Sequence, residues 1–385
     1  MNVERDIAGF AIPFTAGVLL TAYAGAIFCA RSSLLHFVAL LVIFSIYMLL
    51  SRREGKDDGT YIQWGLIAVI AMSCGVLCAA TAISLFDMPQ SGPESLCRGF
   101  GHAMQLKIDA IPFESGDTSA MIKALLTGER GGLSADIKAA FRDSGASHIL
   151  ALSGLHLGII YGLLSQSLSL LGNGRAMRIV RSVLIICICG IYTLATGASD
   201  SLVRALIFIS LREIAKMTCR YNGLGQILLA SLVIQLIIDP LAIRSVSFQL
   251  SYAAMAGIAF IYPWLQGFWD RAESLFSYGY SNDADDISLR GGWIARPARW
   301  IWNTVALSIA CQVTTGPLAY MYFGTFPVHF MLTNLLTLPL TGLLIPAALL
   351  TLCLSAIGIC PAFLIQTTES LVTILISLLE VISTM

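Results

Sequence analysis

Apolar runs punctuate almost the whole chain. They fall at roughly 8–29, 34–50, 61–84, 148–171, 182–198, 225–239, 247–266, 300–322, 329–355 and 362–384. Most approach the ~20 residues that a helix needs to cross the hydrocarbon core of a bilayer. The pattern predicts an all-α polytopic membrane protein with about ten transmembrane helices. A shorter run near 200–216 predicts a half-length or re-entrant helix. The run at 329–355 contains Pro339 and Pro346, so a kink or two half-helices are expected there.

Polar positions gather between the runs. The segment 87–143 holds 14 of the 46 charges, and 270–299 holds 9, which is read as a loop. Basic residues discriminate the two sides. Arg52, Arg53 and Lys56 form one cluster, and Arg175, Arg178 and Arg181 a second. Arg212, Lys216 and Arg220 form a third, and Arg271, Arg290, Arg296 and Arg299 a fourth. One alternation of spans puts all four in the cytoplasm, as the positive-inside rule requires, provided the 200–216 run crosses or dips to that side. The organisation expected is then N-terminal transmembrane helices over 1–84, an external segment over 85–147, and a second transmembrane domain over 148–385.

Two external amphipathic helices are predicted in that segment. The first starts near Asp117 as N-cap and ends at Gly128. The second starts at Ser134 and ends before Gly145, with Ile137, Ala140 and Phe141 on one face. They are expected to lie on the membrane surface or over the mouth of the helices, as a packed lid or a working one.

Composition agrees with the pattern. Of 385 residues, 57% are hydrophobic and 12% charged, with zero net charge. Soluble domains carry ~25% charged residues, so a disordered chain, a basic nucleic-acid module and an ordinary cytosolic enzyme are excluded. The ten cysteines include no CxxC pair and sit mostly in apolar runs, as small hydrophobes. Glu4 and Asp6 beside Arg5 deny the first run a basic leader, so it is read as a retained span.

Polar groups inside apolar context are the candidate chemistry, because ionisable groups in spans are costly. The densest group is His148-Ile-Leu-Ala-Leu-Ser153-Gly154-Leu-His156. On one continuous helix, Ser153 and His156 share a face, and His148 lies about 80° from His156. Three readings compete. Ser153 activated by His156 is a nucleophile, although no G-x-S-x-G elbow is present and a mid-helix serine is poorly exposed. A metal site is the second, without H-x-x-x-H spacing. The third is a structural or pore-lining polar seam, with Ser153 and Gly154 allowing close helix contact.

Further along, Asp200 and Arg204 are spaced as a helical ion pair, and Arg204 is alternatively an anion contact in a pore. Asp239-Pro240 closes one span, with Arg244 in the link after it. Gln249 and Tyr252 share a face. Asn334 precedes Pro339, where it is expected to satisfy backbone groups freed by the proline. On the last helix Gln366, Glu369, Thr373, Ser377 and Glu380 form a stripe about 80° wide, a wet or partner-facing surface.

Four of these groups together resemble the ComEC family, the inner-membrane channel for DNA uptake in bacterial transformation. They are Leu126-Thr127-Gly128-Glu129-Arg130 with Phe141, Gly145 and His148 to His156; Thr196-Gly197 with Ser201 and Arg204-Ala205; Asp239-Pro240 with Phe248-Gln249-Leu250-Ser251; and Pro317, Asn334 and Pro339. Glu129 replaces the family's usual Asp, and Ser247 its usual Gly. The segment Phe86 to Ser115 is too short for the OB-type domain of many members, and no H-x-H-x-D-H cluster marks a metallo-β-lactamase-like nuclease. The chain is expected to be a channel-only member or a fragment, not an enzyme, with no cofactor or metal.

The resemblance implies passage of single-stranded DNA across the bacterial cytoplasmic membrane. It implies a separate DNA receptor, and a cytoplasmic ATPase as well, since no Walker A motif is present. Membrane lipids surround the chain, and a homo-oligomer is an open possibility. Candidate phosphate contacts are Arg130, Arg204 and Arg244. The polar seam would comprise His148, Ser153, His156, Gln249 and Asn334. The alternative is a transporter of a small polar or anionic solute, built on discontinuous helices at 200–216 and 329–355.

Overall fold

The computed structural model describes residues 3–24, 59–85, 94–150, 152–170, 172, 174–218, 223–278, 287–324, 330–359 and 361–384. The expected span at 34–50 lies outside the described residues. Among those described, all regular structure is helical. Among the described residues, four helices are long and apolar enough to cross a membrane: Arg175–Ala195, Val246–Trp269, Leu332–Ala356 and Ala362–Ser383. Shorter apolar stretches are Ile7–Tyr23, Ile67–Ile83 and Leu224–Ile238.

The chain divides into two compact units. The first comprises residues 1–92 and 219–252. It contains α1 (Val3–Ala24), α2 (Gly59–Leu85), α10 (Leu224–Ile238), a 3-10 turn (Pro240–Arg244) and the start of α11 (Val246–Ala256). α1 and α2 cross at Gly17 and Gly75. A Cβ on Gly17 would strike the Met72 carbonyl, and one on Gly75 the Phe14 carbonyl. Small residues at a crossing let two backbones meet where apolar burial alone cannot drive helices together in lipid. The Asp-Pro pair has a local cause. Asp239 Oδ1 accepts from the Leu241 and Ala242 amides at 3.1 and 3.2 Å, capping the 3-10 turn that Pro240 opens.

The second unit comprises residues 93–218 and 253–385. Its elements are α3 (Glu94–Asp109), α4 (Gly116–Thr127), α5 (Ala135–Asp143), α6 (Ser147–Leu150), α7 (Gly154–Ser169), α8 (Arg175–Ala195), α9 (Asp200–Met217), α12 (Tyr262–Tyr278), α13 (Ile287–Phe323), α14 (Phe330–Ala356) and α15 (Ala362–Ser383). A π-helical turn, Gly257–Ile261, joins α11 to α12. α12 runs to Tyr278 and α13 starts at Ile287, so much of the 270–299 stretch read as a loop is helix.

The two amphipathic helices form where expected, with one correction. Ser115, not Asp117, occupies the N-cap position of α4, without a side-chain cap bond, and Asp117 sits in the first turn. Gly128 closes α4 in the left-handed conformation at φ 78°. Ser134 caps α5 and its side chain accepts from the Ile137 amide. Their apolar faces are filled. Met121, Leu125, Leu126, Ile137 and Phe141 form one core with Leu344, Ile345 and Ala348 of α14 and Val372, Leu375 and Leu379 of α15. α4 and α5 are thus packed elements of this unit.

α14 is one continuous helix despite Pro339 and Pro346. The two half-helices expected there do not occur. One face carries Thr333, Thr337 and Thr341, all fully buried. Thr337 and Thr341 donate to the carbonyls one turn back, so their hydroxyls are satisfied within the helix.

Candidate functional site

The sequence group His148–His156 does not form one helix. α6 ends at Leu150, Ser153 is extended at φ −118°, ψ 165°, and α7 starts at Gly154. Ser153 is therefore the N-cap of a new helix, not a mid-helix residue, and the 80° relation between the two histidines does not apply. The cause is local. Serine is a favoured N-cap because its short polar side chain competes with helical backbone bonds.

His156 is the third residue of α7. Its Nδ1 accepts the Ser153 amide at 3.2 Å and lies 3.1 Å from Ser153 Oγ. This is the geometry of a capping box, with histidine where Glu or Gln usually reaches back. An imidazole nitrogen that accepts an amide N–H carries no proton, so a neutral ring holds its proton on Nε2. His156 is 0% exposed, and Nε2 has no hydrogen-bond partner among the described residues. A buried donor left unpaired costs about 1–3 kcal/mol.

His148 takes the opposite tautomer. Its Nδ1 lies 3.2 Å from the Gly145 carbonyl, which only accepts, so Nδ1 is the protonated nitrogen. The Asn334 side chain of α14 is a hydrogen-bond partner of the same ring. Asn334 is 5% exposed.

The surrounding contacts join the sequence groups. A Cβ on Gly128 would lie 2.6 Å from Leu152 Cδ1, and one on Gly154 would lie 3.3 Å from the Ala205 methyl. Tyr192 of α8 donates its hydroxyl to the Leu126 carbonyl at 3.0 Å. Thr333 of α14 donates to the Ser144 carbonyl at 2.7 Å. Glu129 closes its own turn by accepting the Gly131 amide at 2.7 Å, which gives an acid at this position a purpose. The 126–130 turn, the 148–156 segment, the start of α9 and the start of α14 therefore meet in one place.

The other predicted residues are spread out. Arg204 is 2% exposed, whereas Asp200 one turn before it is exposed. Arg130 is exposed. Gln249 and Arg244 belong to the first unit. Gln249 Nε2 donates to the Tyr23 hydroxyl at 3.1 Å and the Ile243 carbonyl at 2.9 Å. The Arg244 guanidinium lies 6.0 Å from the Tyr23 ring centroid. On α15 the stripe faces away from the core: Gln366, Thr373, Ser377 and Glu380 are exposed. Glu369 reaches the start of α4, where Oε1 accepts the Glu114 amide at 2.6 Å and the Ser115 amide at 3.4 Å.

Two features escaped the sequence reading. A cleft of about 420 Å³ lies beside α4. Its lining includes Asp109, Phe113, Ser119, Lys123 and Glu129. Lys123 pairs with Asp109, whose carboxyl is held below the usual carboxylate range by that side-chain hydrogen bond. The second feature ties α7, α8 and α9. Glu213 accepts from the Tyr161 hydroxyl at 2.8 Å, the Ser182 hydroxyl at 2.7 Å and the Lys216 ammonium at 2.6 Å. The i, i+3 spacing of Glu213 and Lys216 was the only available signal, and it reads equally as a surface pair.

The arrangement bears on the competing chemistries. A Ser–His contact exists, but the base needs a third group to orient it, and His156 Nε2 has none among the described residues. Among the described residues no three His, Cys, Asp or Glu side chains gather to hold a metal ion. The continuity of α14 removes one of the two discontinuous helices on which the solute-transporter reading was built.

Comparison with known proteins gives the affiliation. The chain is similar to the uncharacterized protein YcaI of Escherichia coli (strain K12), 29% identical over 150 residues, 38% of this chain and 20% of that one. It is similar to ComE operon protein 3 of Bacillus subtilis (strain 168), 27% identical over 137 residues, 36% of this chain and 17% of that one. It thus matches about a fifth of the length of these curated relatives. No solved structure matches. The family model described as Competence protein matches residues 125–385, which begin within α4 and take in every segment that meets around His148 and His156. On that match, over more than half its length, the chain belongs to the Competence protein family, as a ComEC-type membrane protein.

Proposed function

We propose that this chain forms the path by which single-stranded DNA crosses the bacterial cytoplasmic membrane during natural transformation. The observation that carries the reading is the Competence-family match over 125–385. The meeting of the 126–130 turn with His148, Ser153, His156 and Asn334 supports it, since a transport path needs a polar locus inside an apolar protein. The apolar runs beyond the four long helices supply the remaining crossings, and 85–147 lies outside the cytoplasm.

The path is largely uncharged. A strand that must move through cannot be held tightly at each phosphate, and weak contacts at many sites favour conduction. The 87–143 segment carries six basic and eight acidic residues, so it gathers no phosphates electrostatically. Arg204 is buried and precedes Ala205, whose methyl packs at Gly154. Arg130 and Arg244 contact phosphates elsewhere. Directional movement then depends on a separate cytoplasmic ATPase, and capture on a separate DNA receptor.

The test is transformation in a strain whose chromosomal copy has been deleted. Arg204→Ala and His156→Ala, expressed at wild-type level, are expected to lower uptake at least about tenfold, the equivalent of one buried polar contact. Undiminished uptake by both would sink the reading. A reporter-fusion map tests the topology, and cytoplasmic signal from 85–147 would reverse it.

A further inference from the structure

One end of the α7, α8 and α9 group carries cations held in a fixed arrangement. Glu213, with its side chain 1% exposed, accepts from Tyr161 at 2.8 Å, Ser182 at 2.7 Å and Lys216 at 2.6 Å. Lys216 Nζ also donates to the Tyr161 hydroxyl at 2.7 Å and lies 5.3 Å from the Tyr161 ring centroid. The Arg212 guanidinium lies 5.8 Å from the same centroid. A cation that only marks one side of a membrane needs no fixed geometry. These two share one aromatic ring, and a buried carboxylate anchors both that ring and the lysine. Tyr161 and Glu213 take two of the three ammonium donors of Lys216, whose side chain is 40% exposed. The third donor is left for a ligand.

The neighbouring helix adds charge at the same end. α8 ends at Ala195 and α9 starts at Asp200, so the pair is antiparallel and the start of α8 lies beside the end of α9. The Ser182–Glu213 hydrogen bond sets their register. Arg178, one turn before Ser182 on the same face, is then level with the last turn of α9. Arg175 and Arg181 lie on either side of it along the chain. On these three helices five cations meet one acid, Glu213, because the other acid, Asp200, is at the far end of α9. Next to this charge the surface turns apolar. Val180, Val183, Leu184, Ile188 and Ile191 are exposed along one stripe of α8, a helix long and apolar enough to span a membrane. At 100° per residue, Arg181 lies about 20° from Ile188 around the axis, so it borders the stripe.

We propose that Arg212 and Lys216 over Tyr161, with Arg178 and Arg181 of α8, bind the phosphate headgroup of an anionic phospholipid whose acyl chains lie along the exposed stripe of α8. Basic pockets between membrane helices take such headgroups. Guanidinium and ammonium donors match phosphate oxygens, with arginine able to bind two at once. Charge complementarity selects the headgroup: the trimethylammonium of phosphatidylcholine would meet five cations, whereas phosphatidylglycerol carries no positive group. The apolar stripe selects the lipid, since free phosphate and a nucleic-acid strand have no tail to lay on it. Such a site stands apart from the DNA-uptake reading.

The test is native mass spectrometry of the full chain in detergent, titrated with dioleoyl phosphatidylglycerol or dioleoyl phosphatidylcholine. Wild type is expected to bind phosphatidylglycerol at least about tenfold more tightly, and the double variant Arg181→Gln, Arg212→Gln to keep less than about threefold preference. Lys138→Gln, which removes an exposed charge on α5, should keep the full preference. Inorganic phosphate or single-stranded oligothymidylate, added at the lipid concentration, should not displace phosphatidylglycerol. Equal binding of the two lipids by wild type, a comparison that involves no variant, overturns the site. So does a preference undiminished in the double variant. Displacement by the oligonucleotide would assign these cations to a nucleic-acid strand, and displacement by inorganic phosphate to the free ion, and either result overturns the lipid.

Discussion

Glu369 Oε1 accepts the backbone amide of Glu114 at 2.6 Å, across more than 250 residues of chain. The same oxygen lies 3.4 Å from the amide of Ser115, the N-cap of α4. A carboxylate at this place meets the unpaired amides and the positive end of the helix dipole. The last helix thereby fixes the start of α4. Glu369→Ala should lower unfolding stability by about 1–2 kcal/mol, the range for losing a cap. Glu369→Gln, which keeps an acceptor, should lose less. Detergent-solubilised melts would give the ranking, and an unchanged melt for Glu369→Ala would refute the capping role.

Asp109 and Lys123 supply a pH test. The Asp109 carboxyl is held below its ordinary value first by the Lys123 side-chain hydrogen bond, with smaller help from the Lys123 charge and the Ser119 hydroxyl. A group depressed in the folded state binds fewer protons than its unfolded counterpart. Its contribution is present above the unfolded value and lost as pH falls through the folded one. The window therefore opens near the ordinary carboxylate value of 3.8 and runs downward. Asp109 is half exposed, so solvent screening keeps the effect under about 1 kcal/mol. Melts of wild type and Asp109→Asn should converge below that window and separate above it, more weakly in salt. Parallel curves throughout would contradict the pairing.

The legibility of the chain in its sequence follows from which forces were local. The helices, the caps at Gly128 and Ser134, and the polar group at 148–156 were readable because periodicity and cap chemistry are local. The break at Ser153 was not read, although serine before glycine is a capping signal, because the apolar run continues through it. The continuity of α14 through Pro339 and Pro346 was not legible for the opposite reason: it rests on tertiary packing against α4 and α15, which the two prolines along the chain do not reveal. The Glu369–Glu114 contact lay beyond any spacing rule. Within the stripe on α15, Glu369 meets partner amides on another segment, those of Glu114 and Ser115.

Gly128 and Leu152 offer a two-part test. Gly128 is left-handed at φ 78°, and a Cβ there would lie 2.6 Å from Leu152 Cδ1. Gly128→Ala should cost about 1–2 kcal/mol for the backbone conformation alone, with the collision added. Gly128→Ala combined with Leu152→Ala should show less than the sum of the two single effects, because the second substitution removes the atom struck. The conformational part remains. Simple additivity in unfolding free energies would show that the two residues do not meet.

Glu213 and Lys216 make the sharpest prediction about stability, because their environments differ. The Glu213 side chain is 1% exposed and that of Lys216 is 40% exposed. Removing the ammonium leaves a sealed carboxylate with only the Tyr161 and Ser182 hydroxyls. Removing the carboxylate charge leaves an ammonium that can turn to water. Breaking a buried pair by deleting one partner costs up to about 3–5 kcal/mol, and the penalty falls on the group that cannot reach solvent. Lys216→Met should therefore destabilise by about 3 kcal/mol, and Glu213→Gln, which keeps hydrogen-bonding atoms for Tyr161 and Ser182, by about 1–2 kcal/mol. The double substitution should cost less than Lys216→Met alone, since it leaves no buried charge. If Glu213→Gln proved the more damaging of the two, the carboxylate would owe its stability to the two hydroxyls and not to the lysine.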